Sequence, residues 1–219
     1  MKYSLNYNVS PIYLKKANEI KLPYAKRDKA VALYEQYKVP ISIKLGTNPD
    51  WKDLSEINVL CQNNLIVGIY LPTQIEEANN AKIKFYYAQP ITSYEDFNYL
   101  KKVGAAQFIL GAPLFFDRET IKDVSVRAIP NLAYVGPFTL SDHVHGTWIR
   151  PEDINKYNDL IDICEFYAND HNKEEALYRV YAEDKYWKGN LTAIITNLNH
   201  NGISAGFPED LVEKRKTCK

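Results

Sequence analysis

The sequence predicts an α/β protein, a compact (β/α)8 TIM-like barrel with a C-terminal helical extension. Short apolar, β-branched runs alternate with segments of helical periodicity along most of the 219 residues. The connections between these runs are too long for hairpins, which favours parallel strands with helices packed outside the sheet. Such barrels extend down to ~200 residues. An open parallel α/β sheet is the alternative, but no glycine-rich phosphate loop follows any predicted strand.

Eight apolar runs account for the predicted strands. They are separated by turn residues or by helical patterns, as expected for repeating β/α units. The predicted strands are residues 3–9, 39–45, 65–71, 83–88, 107–110, 126–129, 147–149 and 163–166.

Helical periodicity fills the intervals between these runs. Ser93, with Asp96 three residues later, resembles a capping box and predicts a helix that extends to residue 103. The other predicted helices are residues 24–37, 54–60, 73–81, 117–124 and a long helix at 173–186. The barrel is expected to occupy residues 1–186, with residues 187–219 as a C-terminal helical cap of the same domain.

Composition limits the classes of partner and compartment. Lysine plus arginine equal aspartate plus glutamate at 27 each, so no global field attracts nucleic acid or an anionic membrane. Three widely spaced cysteines fit a reducing cytoplasm, and no apolar run approaches the ~20 residues of a membrane-spanning helix. We therefore expect a cytoplasmic protein that needs no cofactor and binds a small polar or anionic molecule. A protein partner or a homo-oligomer is left open.

Charged side chains inside apolar strands mark the predicted site. In a parallel barrel, ligands contact the carboxyl ends of the strands and the loops that follow them. Lys44, Arg127 and Glu165 each interrupt an apolar strand, where a charge requires a partner, a ligand or water. The cations are expected to hold an anion, and Glu165 to act as acid or base. The predicted ligand-binding residues are Lys44, Gln107, Arg127, Arg150 and Tyr167. The alternative is that some of these charges face outward or form a structural ion pair.

Ionisable side chains are most concentrated at residues 142–153, which include His143 and His145. In an extended segment this His-x-His spacing places both imidazoles on one side, where they can bind a metal. Pro151 and the two acids after it are instead typical of a helix start. Two histidines hydrogen-bonded in a loop are the simpler interpretation, and a metal site is the alternative.

The second half of the chain resembles the peptidase U32 family of barrels. The resemblance rests on G-A-A-Q-F-I-L-G at residues 104–111, D-I-C-E-F-Y at 162–167 and Y-R-V-Y at 178–181. It implies a barrel fold. Family members that modify RNA or hydroxylate quinone precursors carry four cysteines for an iron–sulfur cluster, which three scattered cysteines cannot reproduce.

Three functions are consistent with these observations. The first is a barrel that binds or acts on a small polar or anionic ligand at its carboxyl-terminal mouth. The second is a non-catalytic scaffold or assembly protein, which predicts a mouth filled by side chains and a large apolar surface patch. The third is a metal-dependent hydrolase that uses His143 and His145.

Overall fold

The computed structural model describes residues 2–8, 11–111, 114–128, 157 and 159–165, together with the backbone of 178–179 and 205–206. Seven parallel strands form one sheet in this part of the chain. They are β1 (Lys2–Asn6), β2 (Glu19–Pro23), β3 (Ile41–Lys44), β4 (Leu65–Ile69), β5 (Lys84–Tyr87), β6 (Val126–Ala128) and β7 (Ile161–Glu165). Their order across the sheet is β5-β4-β3-β2-β1-β7-β6, so most neighbours in the sheet are also neighbours in sequence.

Short helices connect the strands, as parallel pairing requires. They are α1 (Pro11–Leu14), α2 (Ala30–Tyr37), α3 (Trp51–Leu60), α4 (Gln74–Asn80), α5 (Tyr94–Lys102) and α6 (Arg118–Ile121), with 3₁₀ turns at Tyr24–Lys29 and Leu114–Phe116. The predicted cap of α5 is confirmed: the Ser93 side chain accepts a hydrogen bond from the Asp96 backbone N–H, and its hydroxyl donates to the Asp96 carboxylate. Asp117 caps α6 in a similar way.

The sheet curls, and one segment contacts both of its edges. Gln107 forms a parallel bridge with Tyr86 of β5, and Phe108 forms another with Val126 of β6. The Phe108 carbonyl accepts from the Arg127 N–H at 2.9 Å, and the Phe108 N–H donates to Ser125 at the same distance. The two edge strands are therefore linked through residues 107–108, which the sequence predicted as a strand.

The two faces of the strands differ in polarity. Along β2, Ile20 and Leu22 join the large apolar core, whereas Glu19 and Lys21 between them are buried in polar contacts. β3 alternates in the same way, because successive side chains of a strand point to opposite faces. The inner face also carries a small apolar cluster beside β4 and β5, formed by Ile66, Tyr86, Ala88 and Ile109. Polar groups and this apolar cluster therefore share the interior of the curl.

Three sequence predictions about the elements were wrong. β2 was missed, because its Glu-Ile-Lys-Leu-Pro sequence interrupts an apolar run with two charges. The predicted helix at 24–37 begins instead as a 3₁₀ turn, and α2 proper starts at Ala30. Tyr178–Arg179, predicted within a helix, forms a short strand parallel to Ala205–Gly206, consistent with the β propensity of tyrosine. The predicted strand at 147–149 lies outside the described residues.

Candidate functional site

A cluster of buried and partly buried polar side chains, called here the inner cluster, lies on the inner face of the curled sheet. Its members come from β1, β2, β3, β5, β6 and β7 and from the linking segment. They are Ser4, Glu19, Lys21, Ser42, Lys44, Tyr86, Gln107, Arg127 and Glu165. Buried charges are costly unless they are paired and hydrogen-bonded, so the cluster must satisfy its own groups or meet a ligand.

Arg127 lies at the centre of the inner cluster and is fully buried. Its Nε donates to Glu165 Oε2 at 3.1 Å, and its two terminal nitrogens both donate to the carboxylate of Glu19. Those nitrogens also donate to Gln107 Oε1 at 2.8 Å and to Ser42 Oγ at 3.3 Å. A guanidinium has five N–H donors, and these five contacts use all of them. Arg127 thus has a complete set of partners inside the protein.

Glu165 joins the lysines to this centre. Its Oε1 lies 3.0 Å from Lys21 Nζ and 3.0 Å from Lys44 Nζ, while Oε2 contacts Arg127. Burial acts to raise the pKa of Glu165, but the three surrounding cations outweigh burial and hold that pKa well below its usual range. The carboxylate is therefore ionised at neutral pH, which makes it a poor proton donor there.

The pKa of Lys21 is lowered too, which in a lysine favours the neutral form. Burial lowers its pKa to about 8; Glu165 opposes this shift, and the nearby charges of Lys44 and Arg127 add to it. A pKa in this range lets a buried amine exchange its proton close to neutral pH. Lys21 thus has a pKa closer to neutral pH than Glu165 has, and the acid or base role of Glu165 stays a prediction.

Tyr86 covers the central guanidinium. The Arg127 carbon Cζ lies 4.4 Å from the Tyr86 ring centroid, and the tyrosine hydroxyl lies 3.2 Å from Ser42 Oγ. Burial raises the pKa of Tyr86 to about 12, so this hydroxyl stays protonated and can donate a hydrogen bond. Gly68 makes room for it, because a Cβ at that position would lie 2.7 Å from the hydroxyl oxygen.

Four of the predicted site residues meet in the inner cluster. Lys44, Gln107, Arg127 and Glu165 come from four different segments and are linked by hydrogen bonds or ion pairs. One predicted alternative, an outward orientation between helices, does not describe Arg127 or Glu165, since both are fully buried. The other, a structural ion pair, agrees with their contact at 3.1 Å. Whether the four bind a ligand stays a prediction.

The remaining predicted residues lie outside the described part of the chain. They are Arg150, Tyr167, His143 and His145. Among the described residues, no three His, Cys, Asp or Glu side chains are grouped as a metal site would require.

The sequence interpretation missed Glu19 and Lys21. Both stand on β2, and each is followed by a core residue, so the Glu-Ile-Lys-Leu run has the period of two that marks a strand with distinct faces. That alternation was the available signal. The signal was missed because two charged residues within five positions are more typical of an exposed loop than of a buried strand.

Two cysteines can be placed, and both are buried free thiols. Burial raises the pKa of Cys61 to about 11 and raises that of Cys164 as well. A thiolate is the reactive form of cysteine, so neither is activated as a nucleophile. The prediction that Cys164 serves as inert packing agrees with this environment.

Comparisons with known proteins give distant similarities in structure. No family model and no curated protein matches this sequence. A 4-hydroxy-2-oxoglutarate aldolase/2-deydro-3-deoxyphosphogluconate aldolase from TTHB1 has 10% identity over 77% of this chain and 84% of its own, with a TM-score of 0.46. Monomers of the dimeric phosphoribosylanthranilate isomerase from Thermotoga maritima have 9% identity over 75% and 85%, with a TM-score of 0.41. An uncharacterised B. cereus protein has 14% identity over 85% and 70%, with a TM-score of 0.43.

These sequence identities and TM-scores are too low to transfer an activity to this chain, because one α/β architecture serves many unrelated reactions. Within the described ranges, no helix is long and apolar enough to cross a bilayer. The fold shown is a curled parallel α/β sheet of seven strands.

Proposed function

We propose that this protein binds a small anionic molecule at the carboxyl end of its sheet. The observation that carries the proposal is the contact of Lys21 and Lys44 with the same Glu165 oxygen, each at 3.0 Å. Lys44 is the last residue of β3, and Glu165 is the last residue of β7. Both therefore lie at the edge where parallel α/β folds bind their ligands.

The charge of the inner cluster supports an anionic ligand. Its described members include three cations, and an anion can form a charge-assisted hydrogen bond with a cation at the edge of such a group. Lys44 is the most accessible of the charged side chains in the cluster, with 13% of its side chain exposed against 5% or less for the others. An anion that approaches from the carboxyl end therefore meets Lys44 first.

In this proposal the other members of the inner cluster position the lysines and do not themselves contact the anion. Arg127 fixes Glu165 and Glu19 in place, and Gln107 completes the donor set of Arg127. Glu165 fixes the two ammonium groups. Arg150 and Tyr167 keep their predicted roles as ligand-binding residues.

The same proposal includes the complete (β/α)8 barrel. Residues 107–110 would serve as the strand between β5 and β6, since Gln107 and Phe108 already bridge to both edges. We also propose that residues 83–182 are related to the peptidase U32 barrels and that the protein is cytoplasmic.

Binding of inorganic phosphate and acetate tests the anion site. We expect isothermal titration at low ionic strength to detect binding, and Lys44→Met to weaken it. A charge-assisted hydrogen bond contributes about 1.5 to 3 kcal/mol, which corresponds to roughly 10- to 150-fold in Kd. Lys52→Met, which removes an exposed lysine on α3, is the matched control and should leave Kd unchanged. Equal binding by wild type and Lys44→Met would refute the assignment.

A non-catalytic scaffold is the second candidate, and the complete donor set of Arg127 favours it. A scaffold needs no ligand, so it predicts that neither anion binds at millimolar concentration. The titration therefore separates the two functions. The metal-dependent hydrolase that uses His143 and His145 stays a prediction, for which elemental analysis of the purified protein is the direct test.

A further inference from the structure

The small apolar cluster on the inner face lies directly beside the inner cluster. Its buried members are Ile66, Tyr86, Ala88 and Ile109, and Tyr70 and Ala106 are partly buried against them. The ring of Tyr86 belongs to both clusters, because the Arg127 carbon Cζ lies 4.4 Å from its centroid. The interior of the curl therefore has charged groups on one side and apolar side chains on the other.

Tyr70 lies on the strand next to Lys44 and nearer to the carboxyl end. Lys44 of β3 is in register with Gly68 of β4, and Tyr70 follows Gly68 by two residues. Neighbouring strands are about 4.8 Å apart and two residues of a strand span about 6.6 Å, so the backbones of Tyr70 and Lys44 are roughly 8 Å apart. The Tyr70 side chain contacts the apolar cluster and is partly accessible.

A buried glutamine fixes the backbone around Tyr70. Gln74 Oε1 accepts hydrogen bonds from the backbone N–H groups of Tyr70 and Leu71, at 3.1 and 3.2 Å. Its Nε2 donates to the Gly46 carbonyl at 2.8 Å. One amide thus joins the segments that follow β3 and β4 and holds Gly46 close to Tyr70. Backbone held in this way loses little conformational freedom when a ligand binds.

Space is open at Gly46, which follows Lys44 by two residues and is exposed. A Cβ at this position, its chain neighbours aside, would meet no heavy atom of the described residues within 4 Å. At Gly68, by contrast, a Cβ would lie 2.7 Å from the Tyr86 hydroxyl oxygen. The interior is therefore closely packed beside Tyr86 and open beyond Lys44, where a group attached to a bound anion can be accommodated.

We propose that the anion bound at Lys44 carries a flat aromatic ring that packs against Tyr70, with small aromatic carboxylates as the class. This inference rests on the proposed function, because Lys44 holds the carboxylate. Aromatic rings pack favourably against a tyrosine ring in offset or edge-to-face geometry. Acetate has the same charge but only a methyl group, so it makes no such contact.

Titration with benzoate and acetate tests this assignment. Both are carboxylates that are ionised at neutral pH, and they differ in the ring. The measured quantity is the ratio of the Kd of acetate to the Kd of benzoate, from isothermal titration at low ionic strength. Burial of about half of the benzoate ring corresponds to a ratio of roughly 10 on wild-type protein.

Variants separate the ring contact from the charge. Tyr70→Ala should lower the ratio by roughly 2- to 12-fold, the effect of losing one aromatic pair. Tyr70→Phe keeps the ring and should keep the ratio of wild type. Gly46→Leu places a side chain in the open space and should lower the ratio. Tyr99→Ala removes a half-exposed tyrosine on α5 and is the matched control, for which we expect an unchanged ratio.

One measurement on wild-type protein does not depend on the folding of any variant. In NMR spectra of the benzoate complex, we expect nuclear Overhauser effects between the ring protons of benzoate and the assigned ring protons of Tyr70. Effects to other tyrosines alone would place the ring elsewhere and overturn the inference.

The titrations also distinguish this inference from the proposed function. Binding of acetate and phosphate that depends on Lys44, together with a ratio near 1, would overturn the inference and leave the anion site intact. A high ratio that persists in Tyr70→Ala would overturn the inference as well. The absence of binding by acetate, phosphate and benzoate would refute the two proposals together.

Discussion

Replacement of Arg127 by methionine is the sharpest test of how the inner cluster holds the fold together. The change removes five donated hydrogen bonds and leaves Glu19 buried beside Ser4 without a cation among its described contacts. Glu165 keeps both lysines, so the loss falls mainly on Glu19. Breaking a buried pair by removing one partner costs about 3 to 5 kcal/mol.

That cost is large against the total stability of a domain, which is typically about 5 to 15 kcal/mol. Urea denaturation followed by circular dichroism measures it. With an m-value of about 2 kcal/mol per molar urea, the midpoint should fall by roughly 2 M. The cost is expected to shrink in the double variant Arg127→Met/Glu19→Gln, because the amide is neutral and leaves no stranded charge. Coupling between residues in direct contact is typically about 0.5 to 3 kcal/mol.

Arg118→Met provides the matched control. Arg118 pairs with Asp159 through two hydrogen bonds, but both side chains are about half exposed, so water replaces the lost partner. We expect Arg118→Met to lower the free energy of unfolding much less than Arg127→Met does. The reasoning is refuted if Arg127→Met costs no more than Arg118→Met, or if the effects of Arg127→Met and Glu19→Gln simply add.

Two further predictions address the same interior. Gly68→Ala should lower the free energy of unfolding by about 1 to 3 kcal/mol, since the new methyl group displaces the buried Tyr86 hydroxyl from Ser42; a loss below about 0.5 kcal/mol in urea denaturation would contradict this packing. The stability difference between wild type and Lys21→Met should move in favour of wild type as the pH rises from about 8 to 10.5. In that range the unfolded chain binds the Lys21 proton and the folded chain does not; pH-independent behaviour in parallel urea titrations would show that the folded pKa is not lowered.

Local patterns in the sequence were sufficient for the α/β alternation. A period of two inside apolar runs and capping residues such as Ser93 depend only on neighbours along the chain, and the structure confirms most strands and the cap of α5. The same reasoning placed charges inside β3, β6 and β7, because a charge in an apolar run stands out without any knowledge of its partners. It failed at β2, where Glu19 and Lys21 together resemble an exposed segment.

What the sequence by itself determined is that Lys44, Arg127 and Glu165 must be compensated, because burial of an unpaired charge is too costly. Only the tertiary structure decided which groups compensate these three charges. The curl of the sheet brings Arg127 within hydrogen-bonding distance of Glu19 and Ser42, which are 108 and 85 residues away in sequence. Three cations and two carboxylates meet only after the strands are arranged, and Lys21 acquires its lowered pKa from that arrangement. Spacing along the chain cannot show this, since the shift depends on burial and on distances between different strands.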